Sequence, residues 1–462
     1  MYALVVCFNL LLRIMWLINK TNFKMKKGIY VLLSFIMICL NSCDSDSSDI
    51  KLKGENTSIF LEELVVKENH VQLKWKANND SIAYYRVIRA VGEKGIYDIN
   101  NNRTNITEIN SSDELSYTDT NVPYSSRVSY EVQGIFSESE DQYYMKNVWS
   151  NAREYVRDIP MINFPSDDVI FVTEHDRLIF INKADGEIKS YNYKTKEETD
   201  FELNSGVGFC TLNKNGQRFE LLVPRNDGWL FIYDANSFDL IEQIKISPFS
   251  VVSAVIKDDL IFASTNTSDE PVIVIRRSTK EIVSKLTWYG DDDRRLQILP
   301  NTNTELFSVN SDEISFYTYD ANGIMIDRKY KDPWDSEYAT STNFTIIPNS
   351  KKFITAPLGN IFDNSIAYVN GLPRGNLKFS DFIINTSGSL VYAACSNNKS
   401  IEVYDLSTFR HIETLKTNAY PYRIFYKDGE IISVSKPTVE NDYYYDSSLS
   451  DLIIERIVHE IN

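Results

Sequence analysis

Histidines, cysteines and clustered carboxylates are the side chains that hold metals, move protons or attack carbonyl carbons, and this sequence scatters them. The four histidines are His70, His175, His411 and His459. His70 opens an alternating stretch, His411 starts the outer half of a hairpin pattern and His459 lies in the tail. Only His175, expected between the second and third strands of the first repeat, falls on a rim, so a three-histidine metal site is not expected. The run Asp291-Asp292-Asp293 offers oxygen ligands suited to calcium but lacks the alternate spacing and the glycine of a dedicated loop, and a solvated acidic loop accounts for it. The sequence contains no phosphate-cradling glycine loop, nucleophile elbow or paired-cysteine motif. No catalytic residue, metal ligand or cofactor is therefore assigned. An enzyme, such as a polysaccharide lyase or hydrolase, stays open as an alternative to a binding protein.

Aromatic residues beside polar ones carry more signal. Trp288 and Tyr289, Trp334 and Tyr338 after Pro333, Phe249 after Pro248, and Tyr420-Pro421-Tyr422 all fall between strand-like segments. A flat ring stacks on the apolar face of a sugar or peptide while neighbouring groups supply hydrogen bonds. Neighbouring loops on the same face are expected to bring Arg225, Asn226, Asp227, Arg294, Arg295, Asn397 and Lys399. The candidate ligand-binding set is Trp288, Tyr289, Trp334, Tyr338, Tyr420, Tyr422, Arg225 and Arg294. The same aromatics could equally act as packing wedges between repeats.

The elements that must position these loops are hairpins. SIEVYDLSTFRHIETLKT from Ser400 alternates apolar and polar residues, stops at DLST and resumes, and similar units begin at Trp229, Pro271 and Glu313. Repetition at about forty residues is the signature of a β-propeller, whose four-stranded blades cannot bury their faces alone. Blades are expected over 161–197, with a weak innermost strand, and over 207–247, 250–288, 293–330 and 341–380. A sixth runs through Leu390 and Ser400 to Thr417, and a seventh from Pro421. The last is expected to draw all four strands from the C-terminus, NDYYYDSS among them, so closure by an exchanged strand is not evident. VYDLST resembles the third-strand pattern of YVTN and WD40-like propellers, although the Trp-Asp dipeptide and Gly-His pair of true WD40 repeats are missing.

Before the repeats, residues 57–157 alternate without that hairpin: HVQLKWKA from His70, AYYRVIRA from Ala83 and RVSYEVQGIF from Arg127. About seven strands in such a segment suggest a β-sandwich. It resembles fibronectin type III, with Trp75 where that family places its core tryptophan and Tyr124 or Tyr130 available for a tyrosine corner. Trp75, Tyr85 and Tyr130 are expected in the core. The polar stretch from Ile99 to Asp113 is expected to be an exposed loop.

The first residues read as an address. From Met25, a plausible true start, Lys26 and Lys27 precede the apolar run IYVLLSFIMICL, too short to span a bilayer. Residues 1–42 are therefore expected to be a signal peptide. LNSC at Leu40–Cys43 resembles a bacterial lipobox, and DSDSSD from Asp44 resembles the export tag of surface lipoproteins in Bacteroidota. Together they imply a lipidated Cys43, a polar tether over 43–56 and an outer-membrane location, surface-exposed. Each buried acyl methylene contributes about 0.8 kcal/mol to such anchoring. Cys210 and Cys395 are expected as buried core residues. Net charge is -16, and the first 42 residues carry no acid, so the rest is more acidic still. That argues against nucleic acid as a partner. The chain is thus expected to be all-β: a fibronectin type III-like β-sandwich over 57–157, then a β-propeller of about seven blades over 160–462. Its expected partners are the outer membrane, through Cys43, and a glycan, peptide or envelope protein. A structural subunit of an envelope complex is a further alternative.

Overall fold

The computed structural model describes residues 58–67, 70–78, 82–92, 103–136, 147–267, 271–286, 294–299, 305–309, 313–331, 342–439 and 451–459. Cys43 with the expected leader and tether, Trp288, Tyr289, Asp291–Asp293, Trp334, Tyr338 and the NDYYYDSS segment lie outside these residues. The described residues are all-β, built from antiparallel sheets with a single-turn 3-10 element at Thr173–His175.

Two sheets come first. Ile59–Lys67, His70–Ala77 and Ser116–Asp119 form one. In the other, Ile82–Val91 pairs with Arg103–Ile109 and Arg127–Phe136, and the latter also pairs with Asn147–Trp149 and Arg153–Val156. Alternation sends Val71, Leu73 and Trp75 from the first sheet and Tyr85, Val87, Val128, Tyr130 and Val132 from the second into one core. Trp75 meets Tyr85 edge to face, with ring centroids 5.5 Å apart. The segment from Ile99 to Asp113, expected as a loop, instead contains the strand Arg103–Ile109. Its apolar signal is only Ile106 and Ile109 among polar residues, and pairing with Ile82–Val91 organises it.

The remaining strands form seven four-stranded sheets. Six are consecutive in the chain, over 168–202, 211–245, 251–286, 295–331, 344–371 and 379–416. Second strands such as Leu260–Thr265 and Leu390–Cys395 are buried at every position, whereas the outer strand His411–Lys416 is almost wholly exposed. Five sheets share a register shift at the same place between third and fourth strands, for example at Ile232/Tyr233 and Val403/Tyr404. The following turn is held by an aspartate: Asp234, Asp320, Asp363 and Asp405 each accept hydrogen bonds from backbone N–H groups just downstream. The DLST signal thus marks an aspartate-held turn.

The seventh sheet departs from expectation. Tyr420–Lys427, Glu430–Lys436 and Asp451–Val458 are its first three strands, and its outer strand is Met161–Asn163, from ahead of the first repeat sheet. The stretch near Ser450 is therefore the third strand, and an exchanged strand completes the sheet. Three residues with one buried apolar side chain, Ile162, leave too short a period to detect. The first sheet is likewise shifted: Asp168–Val172 is its well-buried innermost strand and Glu198–Glu202, beyond the expected limit, its outer one. His175 consequently sits between first and second strands. First and seventh sheets touch, with Ile162, Val169 and Leu178 sharing a core with Ile432 and Ile454. Cys210 and Cys395 are buried free thiols.

Candidate functional site

The innermost strands of six repeat sheets surround a cavity of about 570 Å³. Its walls are largely apolar, with Val169, Phe171, Leu212, Val255, Ile298 and Phe425 beside Thr211, Asn213, Gln297 and Tyr426. Arg295 is the one charged residue among those lining it. Volume and composition suit a small-ligand cavity, which typically encloses about 300–1,000 Å³ with few placed polar groups. Burial along the innermost strands is uneven. Val251–Lys257 and Thr211–Asn215 become more exposed toward their C-terminal ends.

Near the starts of the innermost strands lies a collar of charge, of which Arg295 lines the cavity. Arg423 Nη2 donates to Asp168 Oδ1 at 2.6 Å, Arg295 Nη2 lies 3.4 Å from Asp168 Oδ2, and Arg423 Nη1 lies 3.7 Å from Asp381 Oδ1. Register shifts just before Asp381 and Arg423 re-aim both side chains. Ser253 occupies the matching place after a shift in the third sheet. The position has a structural use: Ser253 Oγ accepts from Leu296 N at 3.1 Å, and Asp381 Oδ2 from Ile424 N at 3.0 Å, each tying its sheet to the next.

Burial pushes the Asp168 carboxyl up, but Arg295, Arg423 and Lys183 outweigh it and hold the group below the usual carboxylate range. Asp381 is pushed up by burial. Burial lowers Lys183, whose Nζ sits 4.0 Å from the Phe209 ring centre. Burial, reinforced by Asp168, raises the Cys210 thiol, which disfavours a thiolate nucleophile. Arg295 Nε and Arg423 Nε are buried without hydrogen-bond partners among the described residues. No group of three or more His, Cys, Asp or Glu among the described residues is placed to hold a metal ion.

Four of the expected ligand-binding residues fall within the described structure, and they do not converge. Arg225 is held by Asp227 at 2.7 Å, donates to Leu203 O at 3.0 Å and covers Phe231. Arg294, expected on a loop face, is buried and bonds Glu313 at 2.9 Å and Tyr317 Oη at 2.9 Å. Tyr422 donates to Asp167 O at 2.6 Å across the join between the seventh and first sheets. Tyr420 faces the Lys399 ammonium, 5.4 Å from its ring centre. Of the neighbours expected with them, Arg295 alone reaches the cavity. Asp168, Lys183, Asp381 and Arg423 escaped sequence reasoning. Their signal was a charge set inside an apolar strand, as in DDVIFV, FSDFII and YPYRIFY, which is costly unless paired.

A second pocket, of about 360 Å³, lies where the early sheets meet the sixth and seventh repeat sheets, lined by Lys67, His70, Asn121, Arg157, Lys399 and Asn418 among others. Compared with known proteins, the chain matches no family model and no curated sequence.

Proposed function

We propose that this chain is a lipid-anchored surface binding protein in which a fibronectin type III-like sandwich precedes a seven-bladed β-propeller, with the central cavity as ligand site. The sandwich reading draws support from the pairing of Ile59–Lys67, His70–Ala77 and Ser116–Asp119 opposite a second sheet, with Trp75 on the second strand. The propeller reading draws support from seven four-stranded sheets and from Met161–Asn163, which completes the last with a strand from ahead of the first. Anchoring rests on LNSC and DSDSSD alone. One observation carries the binding role: a mostly apolar cavity framed by six innermost strands, with a few convergent polar groups. A glycan, a peptide or an envelope protein segment is the ligand class.

The test is retention of polysaccharide and peptide libraries by the purified mature chain. Ile298→Trp, which fills the cavity, is expected to weaken retention about tenfold or more with little change in melting temperature. Trp288→Ala and Trp334→Ala probe the loop face instead. Unchanged retention in all three variants, or no retention by the parent, would sink the binding role for both faces.

A further inference from the structure

We propose that the pocket between the sandwich sheets and the sixth and seventh repeat sheets binds an oxoanion, a sulfate, phosphate or carboxylate group carried by a small ligand. The chain holds 64 acidic against 48 basic residues, yet this pocket is lined by Lys67, His70, Arg157 and Lys399 with no carboxylate among its lining residues. This local excess of cations runs against the overall acidic balance of the chain.

Lys399 is the centre of the site. Its ammonium faces the Tyr420 ring and makes no ion pair or hydrogen bond among the described residues. Burial lowers its pKa, and Arg157 lowers it further, more than Glu455 restores. An unpaired, partly desolvated ammonium next to a second cation is stabilised by an anion between them. Glu455 does not fill that place, because its oxygens accept from Asn418 N at 2.8 Å, Asn418 Nδ2 at 2.9 Å and Ala419 N at 3.3 Å.

Arg157 is held rigidly. It donates from Nε to Ser125 O at 3.1 Å and from Nη2 to Pro123 O, with the rings of Tyr124 and Tyr155 within 5.0 Å and 4.9 Å. Its charge is thus fixed at the pocket with two of its five N–H donors engaged, so Arg157 can bond the anion alongside Lys399 and Lys67. The Asn121 amide also lines the pocket, whereas Asn418 already donates from N and Nδ2 to Glu455. Because both halves of the chain contribute, an anion here links the sandwich to the repeats.

The mature chain is titrated calorimetrically, and by thermal shift, with sodium sulfate, phosphate and glucuronate, each against sodium chloride at equal ionic strength. Saturable binding beyond chloride is expected, weakened about tenfold by Lys399→Gln, as befits one lost charge-assisted hydrogen bond. Lys67→Gln should weaken it less, and Lys416→Gln, on an exposed outer strand, not at all. Preference for glucuronate identifies a carboxylate donor, and preference for sulfate or phosphate a tetrahedral one. The proposal fails if no anion saturates beyond chloride. It fails equally if both Lys399→Gln and Lys67→Gln bind as tightly as the parent. Should Lys399→Gln unfold, the exposed Lys67→Gln decides.

Discussion

Arg423 and Asp168 are 255 positions apart in the chain, and the guanidinium of one meets the carboxylate of the other at 2.6 Å with both side chains buried. The pair joins the innermost strand of the seventh repeat sheet to that of the first. Further bonds cross the same seam, from Tyr422 Oη to Asp167 O and from Lys427 Nζ to Thr173 O and Asp176 Oδ1. Local hairpins dominate the rest of the repeat region, so these contacts and the still more distant pairing of Met161–Asn163 with Asp451–Ile453 carry its longest loop closures.

Removing one member of this pair leaves the other charged, buried and uncompensated. Arg423→Met is expected to cost about 3–5 kcal/mol, as does breaking other buried pairs from one side. Asp168→Asn should cost less, since the amide still accepts a hydrogen bond, although Arg295 loses its partner as well. Urea unfolding of both single variants and the double variant measures the coupling. Strict additivity of the two losses would show that the pair does not act as a unit.

The exchanged strand offers a second test of the same seam. Ile162 is 1% exposed and packs with Val434, Leu452 and Ile454. Ile162→Ala removes a buried branched side chain and should cost about 2–5 kcal/mol. A chain beginning at Phe164 should unfold at lower urea than the parent, because Asp451–Val458 then presents an open edge. Equal midpoints would mean that Met161–Asn163 contributes nothing to stability.

Hairpins were legible because each spans about eighteen residues in which two strand-like runs flank a short polar turn, most often closed by an aspartate, and such runs are what paired strands require. Met161–Asn163 was not legible: three residues define no period, and its partner lies at the other end of the chain. Arg103–Ile109 was hidden for a related reason, because a strand on a sheet edge can be mostly polar. The collar shows a different limit. Asp381 and Arg423 each stand in apolar strands, but which charges meet depends on how the sheets come together, which no local pattern encodes. Arg294 illustrates the converse, a charged residue that sequence reasoning put on a loop and that folding buries beside Glu313 and Tyr317.

Acid should loosen the contact between the second and third repeat sheets. Glu220 has a fully buried side chain that receives Arg277 from Nη1 at 2.9 Å and Nη2 at 3.1 Å, with Asn213 and Asn215. Burial alone would raise its pKa, but these bonds outweigh it and hold the carboxyl at about 2. The unfolded value is about 4.3. A depressed folded pKa stabilises the protein above the unfolded value, and that contribution is lost as pH falls through the window toward 2. Glu220→Gln should therefore melt below the parent at neutral pH, and the two melting curves should converge between about pH 4.5 and 2. Parallel curves across that window would exclude Glu220 as a source of acid sensitivity.

In the two sheets that precede the repeats, Asp119 is the polar hub. It is 2% exposed and accepts from Tyr130 Oη at 2.8 Å, Arg89 Nη1 at 2.8 Å and Asn121 N at 2.9 Å. Burial and the adjacent Asp119 charge push the Tyr130 hydroxyl well above its ordinary range, so it stays a donor at any working pH. Tyr130→Phe deletes one of three donors and keeps the ring, which predicts a loss of about 1–2 kcal/mol. Asp119→Ala deletes the shared acceptor and strands a buried cation together with a buried hydroxyl, so its cost should be larger, about 3–5 kcal/mol. Denaturant midpoints rank the two. A Tyr130→Phe loss equal to that of Asp119→Ala would place the energy in the hydroxyl rather than in the compensated Arg89 charge. Asp119→Asn separates charge from geometry: it keeps an acceptor for Tyr130 but removes the partner charge of Arg89, and should fall between the other two.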